Sequence, residues 1–148
     1  MDDPMTAAGS VAVRRATPTD LAAIVQLHDQ VHVDRTDYLT HVLQSETCFL
    51  AHEEVIVGLV VLRHGRFFGR DFVDYLRVRP DHRRKGTGRL LLRRSVSAAT
   101  SSRVFTSTNE SNHPMQMLLA SEGWHLSGRL VGLDEGDPEF VYFLDPRA

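Results

Sequence analysis

The chain has 148 residues, 42% of them hydrophobic and 24% charged, and a formal net charge of −2. That length suits one domain with a full hydrophobic core, and the near-neutral balance argues against a general nucleic-acid or anionic-membrane binder. The single cysteine, Cys48, excludes an intrachain disulfide, and no apolar run is long enough to span a bilayer.

Residues 1–10 are acidic and lack the apolar stretch of a signal peptide, so they are expected to form a disordered leader to one domain over residues 11–146. Reducing, cytoplasmic surroundings follow from the cysteine count. Residues 11–15 read as a first strand. Thr17-Pro18-Thr19-Asp20 supplies a cap and a proline for a first helical turn. Leu21, Ile24, Val25, Leu27 and Val31 then recur at helical spacing, which predicts a helix to about His32. A second, short helix is expected over residues 38–44. Residues 47–52 and 55–63 are apolar strands joined by Glu53-Glu54. Residues 65–70, rich in Gly, Arg and Phe, read as a loop, and residues 72–79 as a strand stopped by Pro80. A helix follows from about Gly86 to Thr100. Residues 104–108 form the next strand, and Asn112 caps a helix that ends at Gly123. Residues 126–133 and 139–144 are the last two strands, joined by an acidic turn. This order predicts an α/β (α+β) domain with a mostly antiparallel sheet flanked by helices. The segment 72–123 places two strands side by side in parallel.

Charge is uneven. Between Arg77 and Arg94 there are eight Lys or Arg residues and one acid, Asp81, whereas residues 134–145 are acidic. A basic patch on a near-neutral protein suits a small polyanion better than a nucleic-acid polymer. The cations centre on RRKGTG, Arg83 to Gly88, where a strand feeds a Gly-rich turn that opens a helix. Such a turn cradles phosphate: glycine lets the backbone approach, and the unpaired N–H groups and helix dipole face the anion. The turn is neither a P-loop nor a dinucleotide fingerprint, because G-x-x-x-x-G-K-[ST] and the third glycine are both missing. The plainer alternative is a basic turn with helix-starting glycines.

The stretch LRVRPDHRRKGTGRLLL resembles the acetyl-CoA-binding motif of the GNAT superfamily of N-acetyltransferases. In that pattern a strand ends in V-x-P and R/Q-x-x-G-x-G/A heads a helix; Arg83, Gly86 and Gly88 fill its specified positions. The second family motif is similar to residues 104–124, with a strand, Asn112 and a helix closed by Gly123-Trp124. The segments TSTNESNHPMQMLL and LDEGDPEFVYF further look like a bacterial branch of the family. The resemblance implies a GNAT-like mixed sheet of about seven strands with about four helices. It also implies acetyl-CoA as cosubstrate. Leu76, Arg77 and Val78 would offer backbone groups to the pantetheine arm, as in strand addition. Arg83, Arg84, Lys85, Gly86, Thr87, Gly88 and Arg89 would hold the pyrophosphate, and Asn112 would bond to the arm. A backbone N–H near Val78 would stabilise the oxyanion.

The implied reaction is acetyl transfer to a primary amine of a small molecule or protein in a ternary complex. Asp74, sharing strand parity with Leu76 and Val78, is the leading candidate for the base, and Glu110 is second; a surface or salt-bridged acid is the alternative for each. Leu119 stands where the family often has a Tyr that protonates the departing thiolate. Tyr38, Tyr75, Tyr142 or water are the substitutes. Acceptor contacts are expected from residues 33–41, the loop 65–70 and the last hairpin, with Arg66 and Arg70 hinting at a negative group on the acceptor. A homodimer is entertained. A non-catalytic acetyl-CoA sensor, or an interaction domain that has kept only the fold, are the rival readings, and nucleic acid and membrane are not expected partners. His28 and His32 have metal-pair spacing but lack the Glu of H-E-x-x-H, so no metal site is expected. Met115 and Met117 are expected in the core, and Cys48 is expected to be a buried, inert thiol.

Overall fold

The computed structural model describes residues 11–28 and 35–146. The expected leader, Val31, His32 and the start of the 33–41 segment lie outside the described residues. Seven strands form one sheet: β1 (Ala12–Arg15), β2 (Thr47–His52), β3 (Ile56–Phe67), β4 (Arg70–Val78), β5 (Val104–Asn109), β6 (His125–Leu130) and β7 (Glu139–Leu144). Their spatial order is β1-β2-β3-β4-β5-β7-β6. The β4–β5 pair is parallel and every other neighbour is antiparallel. Four α-helices accompany it: α1 (Leu21–Val25), α2 (Thr36–Ser45), α3 (Thr87–Ser97) and α4 (His113–Ser121). No helix among the described residues is long and apolar enough to cross a membrane.

Two cores sandwich the sheet. On one face α3 and α4 bring Leu91, Leu92 and Leu119 against Val60, Leu62, Val73, Val78 and Val104. On the other, α1 and α2 bring Ile24, Leu39, Val42 and Leu43 against Leu50, Leu59 and Val61. Fully burying each such aliphatic side chain contributes about 1.5–3 kcal/mol. Gly58 on β3 lets α3 approach: a Cβ there would lie 2.9 Å from Leu91 Cδ1 and 3.1 Å from the Arg77 carbonyl.

Local sequence explains the element ends. Thr17 donates its N–H to Asp20 Oδ2 at 2.9 Å, which caps the turn that Pro18 begins. Asn112 Oδ1 accepts from Met115 N–H at 3.2 Å and starts α4. Helix α3 stops at Ser97 rather than Thr100, because the Thr100 N–H is taken by the Asp71 carboxylate at 2.7 Å. β6 ends at Leu130, three residues earlier than the 126–133 reading.

The expected loop over residues 65–70 is instead the tip of a hairpin. β3 runs to Phe67 and β4 begins at Arg70, with Phe67 paired to Arg70. Phe68 (φ 51°) and Gly69 (φ 79°) occupy the two central positions. Positive φ at both is the condition for a type I′ turn, which matches strand twist. Phe68 tolerates it with its ring edge-on to Phe67, centroids 5.0 Å apart. Met117 is 73% exposed, so only Met115 packs against the core. Cys48 is buried, and burial pushes its thiol up to about 12.

Candidate active site

β4 and β5 pair only at Asp71↔Val104, Phe72↔Phe105 and Val73↔Thr106. Beyond Val73 and Thr106 the two strands run on without pairing, so the sheet forks. Thr106 Oγ1 donates to the Val73 carbonyl at 2.8 Å and closes the base of the fork. Arg79 donates its N–H to Val57 on the β3 side at 2.8 Å. By strand alternation Arg77 also turns its backbone to β3, and Leu76 and Val78 turn theirs into the fork. Val78 O is taken by Arg83 Nε at 3.0 Å. The Leu76 N–H and C=O and the Val78 N–H are left facing the opening. The Arg77 side chain points elsewhere, donating to the Leu27 carbonyl at 3.3 Å.

At the end of β4 the chain enters the turn Arg83 to Gly88. Arg84 (φ 65°) and Gly86 (φ 83°) are both left-handed, and Gly86 is the N-cap of α3 without a side-chain cap bond. Alternating left-handed residues turn successive N–H groups to one side. Among the described residues no protein acceptor meets the backbone N–H groups of residues 84–89. Thr87, 1% exposed, has a buried Oγ1 with no hydrogen-bond partner. An unpaired row of donors at a helix head fits a diphosphate. The cations divide into two sets. Arg89 and Arg93 are held by Glu122 at the C-terminal cap of α4, with Arg93 Nε at 2.6 Å, and Arg93 then Arg89 keep that carboxyl below its usual range against burial. Arg84 and Lys85 are exposed and have no protein partner among the described residues.

Asp74 sits at the fork, and here strand parity fails. Val61 pairs with Tyr75 while Leu62 pairs with Val73, so Asp74 is the extra residue of a β-bulge. The bulge puts Asp74 and Tyr75 on the α2 face, whereas Leu76 and Val78 pack toward α3 and α4. Asp74 therefore does not share a face with Leu76 and Val78. Its Oδ2 accepts from Tyr38 Oη on α2 at 2.6 Å and lies 3.9 Å from Arg63 Nη1. Burial, then the bond to Asp74, pushes the Tyr38 phenol well above its usual range, so it stays a neutral donor. Arg63 is anchored in turn by Glu46, at 3.3 Å from Oε2. Glu46 is buried, but the His64 N–H, Arg66 and Arg63 outweigh that burial and hold its carboxyl low. Tyr38 was readable only as one tyrosine among several; Arg63 and Glu46 gave no sequence signal, because their partnership spans β2 and β3.

The remaining candidates are scattered. Glu110 is exposed beyond β5, its N–H bonded to the Pro138 carbonyl at 2.8 Å and its carbonyl accepting from Gln116 Nε2 at 2.6 Å. Asn112 is exposed at the head of α4, its Oδ1 used as a cap and its amide nitrogen without a protein acceptor among the described residues. Leu119 is fully buried in the α3–α4 core. Tyr142 is buried in that same core, and burial raises its phenol. Arg66 is tied to Glu46 and Arg70 to the Phe68 carbonyl at 2.9 Å, so both fasten the hairpin tip.

The sequence pattern of the Acetyltransferase (GNAT) family matches residues 17–124. Among solved structures, an acetyltransferase of the GNAT family from Bacillus cereus ATCC 10987 is 33% identical, with 93% of this chain and 98% of that one covered at a TM-score of 0.86. YncA, a putative acetyltransferase from Salmonella typhimurium solved with its cofactor acetyl-CoA, is 21% identical over 93% and 95% at 0.78. Arabidopsis thaliana NAA60 in complex with acetyl-CoA is 15% identical over 94% and 100% at 0.77. Among curated protein sequences nothing matches the chain.

Proposed function

The chain belongs to the GNAT family of acetyltransferases, and on that premise we propose that it moves an acetyl group from acetyl-CoA to a primary amine by direct attack in a ternary complex. The observation that carries this reading is the continuity of the fork with the turn. Unpaired backbone on Leu76 and Val78 leads straight into unpaired N–H groups on residues 84–89, as a ligand with an amide-bearing arm and a diphosphate requires.

The thioester supplies an acyl carbon activated toward amines. In this reading the pantetheine arm lies along Leu76 and Val78, and the diphosphate lies on the turn, with Arg84 and Lys85 adding charge. The amine lone pair attacks the carbonyl carbon, a C–N bond forms and the C–S bond breaks. The Val78 N–H donates to the developing oxyanion. Asp74 accepts the amine proton, directly or through one water, while Tyr38 and Arg63 fix its carboxylate. Leu119 has no proton to give, so sulfur leaves as a thiolate and takes its proton from solvent. A thiol with an ordinary pKa of about 8.5 permits that.

The test is thiol release from acetyl-CoA across a panel of amines, with melting temperature followed in parallel. A ligand at a hundred times its Kd stabilises by about 2.7 kcal/mol. Amine-dependent release with a raised melting temperature is expected. A raised melting temperature without release under any amine would replace this reading with a non-catalytic acetyl-CoA sensor.

A further inference from the structure

The α3–α4 side of the fork is closed. Val73, Leu91, Leu119 and Trp124 pack there, and Thr106 is 2% exposed. An acceptor reaches the fork only from the face that carries Asp74. That face is floored by phenylalanine. Phe72 on β4 and Phe105 on β5 are register partners at the base of the fork. Phe67 from the hairpin tip lies 4.9 Å from Phe72 and 5.0 Å from Phe105, and Phe143 on β7 lies 6.1 Å from Phe105, centroid to centroid. All four rings are half-buried, and none belongs to either core. Among the described residues, helices α1 and α2 cover β2, β3 and Tyr75 and do not pack on this row.

We propose that the acceptor is a primary amine joined by a short alkyl arm to an aromatic ring, with the ring seated on Phe72 and Phe105 and the nitrogen at Asp74. This rests on the acetyl-transfer reading above. Phe72 precedes Asp74 by two residues on the same face, about 7 Å along the strand. That is the span of a short arm between a nitrogen and a ring. The floor rings are already tilted against one another, the geometry in which a further ring gains from edge and offset contacts as well as from area. Beyond Phe143, the Arg103 guanidinium stacks on that ring at 4.5 Å and the His125 ring lies 5.4 Å from it.

The experiment compares phenethylamine with butylamine as acceptors. The expected result is a kcat/KM about tenfold higher for phenethylamine, the size of one aromatic contact with its buried area. Phe105→Leu, which keeps the packing apolar, should cut that preference to about threefold or less through KM with kcat held. Phe143→Leu, one strand further from Asp74, should change it less. Saturation-transfer NMR of phenethylamine on the CoA-loaded protein reads the ring contact without turnover and should lose signal in Phe105→Leu. Equal use of both amines, or a preference untouched by Phe105→Leu, overturns the proposal while leaving acetyl transfer intact. Ring binding without acetylation of any amine overturns the acetyl-transfer reading instead.

Discussion

The two ends of β4 differ, although they are one strand. At its start, Arg70 to Val73, β4 is paired on both sides and its one acid is fully engaged. Asp71, 2% exposed, accepts from Thr100 N–H at 2.7 Å, Gly65 N–H at 3.1 Å and His64 Nδ1 at 3.0 Å. His64 Nε2 is also bonded to Thr47 Oγ1 at 2.7 Å, so the carboxylate ties β2, β3, β4 and the end of α3 together. At its far end, Leu76 to Val78, β4 is paired on one side only, and the acid that precedes it, Asp74, lies on the α2 face with Tyr38. A bulge at Asp74 separates the halves. Aspartates three residues apart thus serve opposite ends. Asp71 is enclosed by donors from several segments of the chain, whereas Asp74, at the bulge, is met on the α2 face by Tyr38 and Arg63.

That contrast can be broken at either end. Asp71→Ala should have the largest effect, a loss of about 3 kcal/mol or more in urea unfolding, because the donors gathered on one buried carboxylate lose their acceptor together. The acid branch tests the same group. Burial opposes ionisation of Asp71, yet the hydrogen bonds from Thr100, Gly65 and His64 hold its carboxyl below the usual range. A depressed folded pKa means the unfolded chain binds more protons, so stability rises with pH through that window. It is present above the unfolded value of about 3.9 and lost as pH falls through the folded value. Glu46 and Glu122 act in the same direction. Asp71→Asn should flatten part of that acid slope; an unchanged slope would remove Asp71 from the structural end.

Next in size, Asp74→Asn should lower kcat roughly 100-fold, about 2.7 kcal/mol in barrier, with the urea midpoint nearly unmoved because Asp74 is exposed. A loss of stability as large as that of Asp71→Ala would mean the two acids do the same work.

Gly88→Ala should come third. A Cβ there would sit 3.8 Å from both Leu118 and Val78, ordinary contact that the fold accepts. The urea midpoint should hold, while acetyl-CoA affinity by calorimetry should fall about tenfold, since in the proposed reading the methyl group meets the arm as it enters the turn. Unchanged affinity would place the ligand elsewhere. The smallest effect belongs to Lys85→Ala, a two- to fivefold weakening of acetyl-CoA binding at low salt that fades as salt screens the exposed charge.

How much of this could be read from the residues varies with how local its cause is. RRKGTG was readable as a basic, glycine-rich turn opening a helix because the glycines, the cations and the helix that follows adjoin in sequence. The cap at Asn112 and the turn at Thr17–Asp20 were readable for the same reason. Parity placed Asp74 on the face of Leu76 and Val78, and the bulge reversed it. A bulge is set by how β3 and β4 settle against two different cores, and no residue type in DFVDYL announces it. The hairpin at Phe68-Gly69 was hidden because Phe is a rare occupant of a left-handed position, held there by a neighbouring ring.

The amino-acid sequence by itself determined the order of strands and helices, the glycine-rich turn that opens α3 and the family. Each depends on patterns within a few dozen consecutive residues, where periodicity and turn chemistry act directly. Only the tertiary structure decided which backbone groups of β4 stay unpaired, which face Asp74 takes, and that Tyr38 holds it. It also decided that four phenylalanines drawn from β3, β4, β5 and β7 make one floor. These depend on register between strands far apart in the chain, and register is fixed by packing of the whole sheet rather than by any one stretch of it.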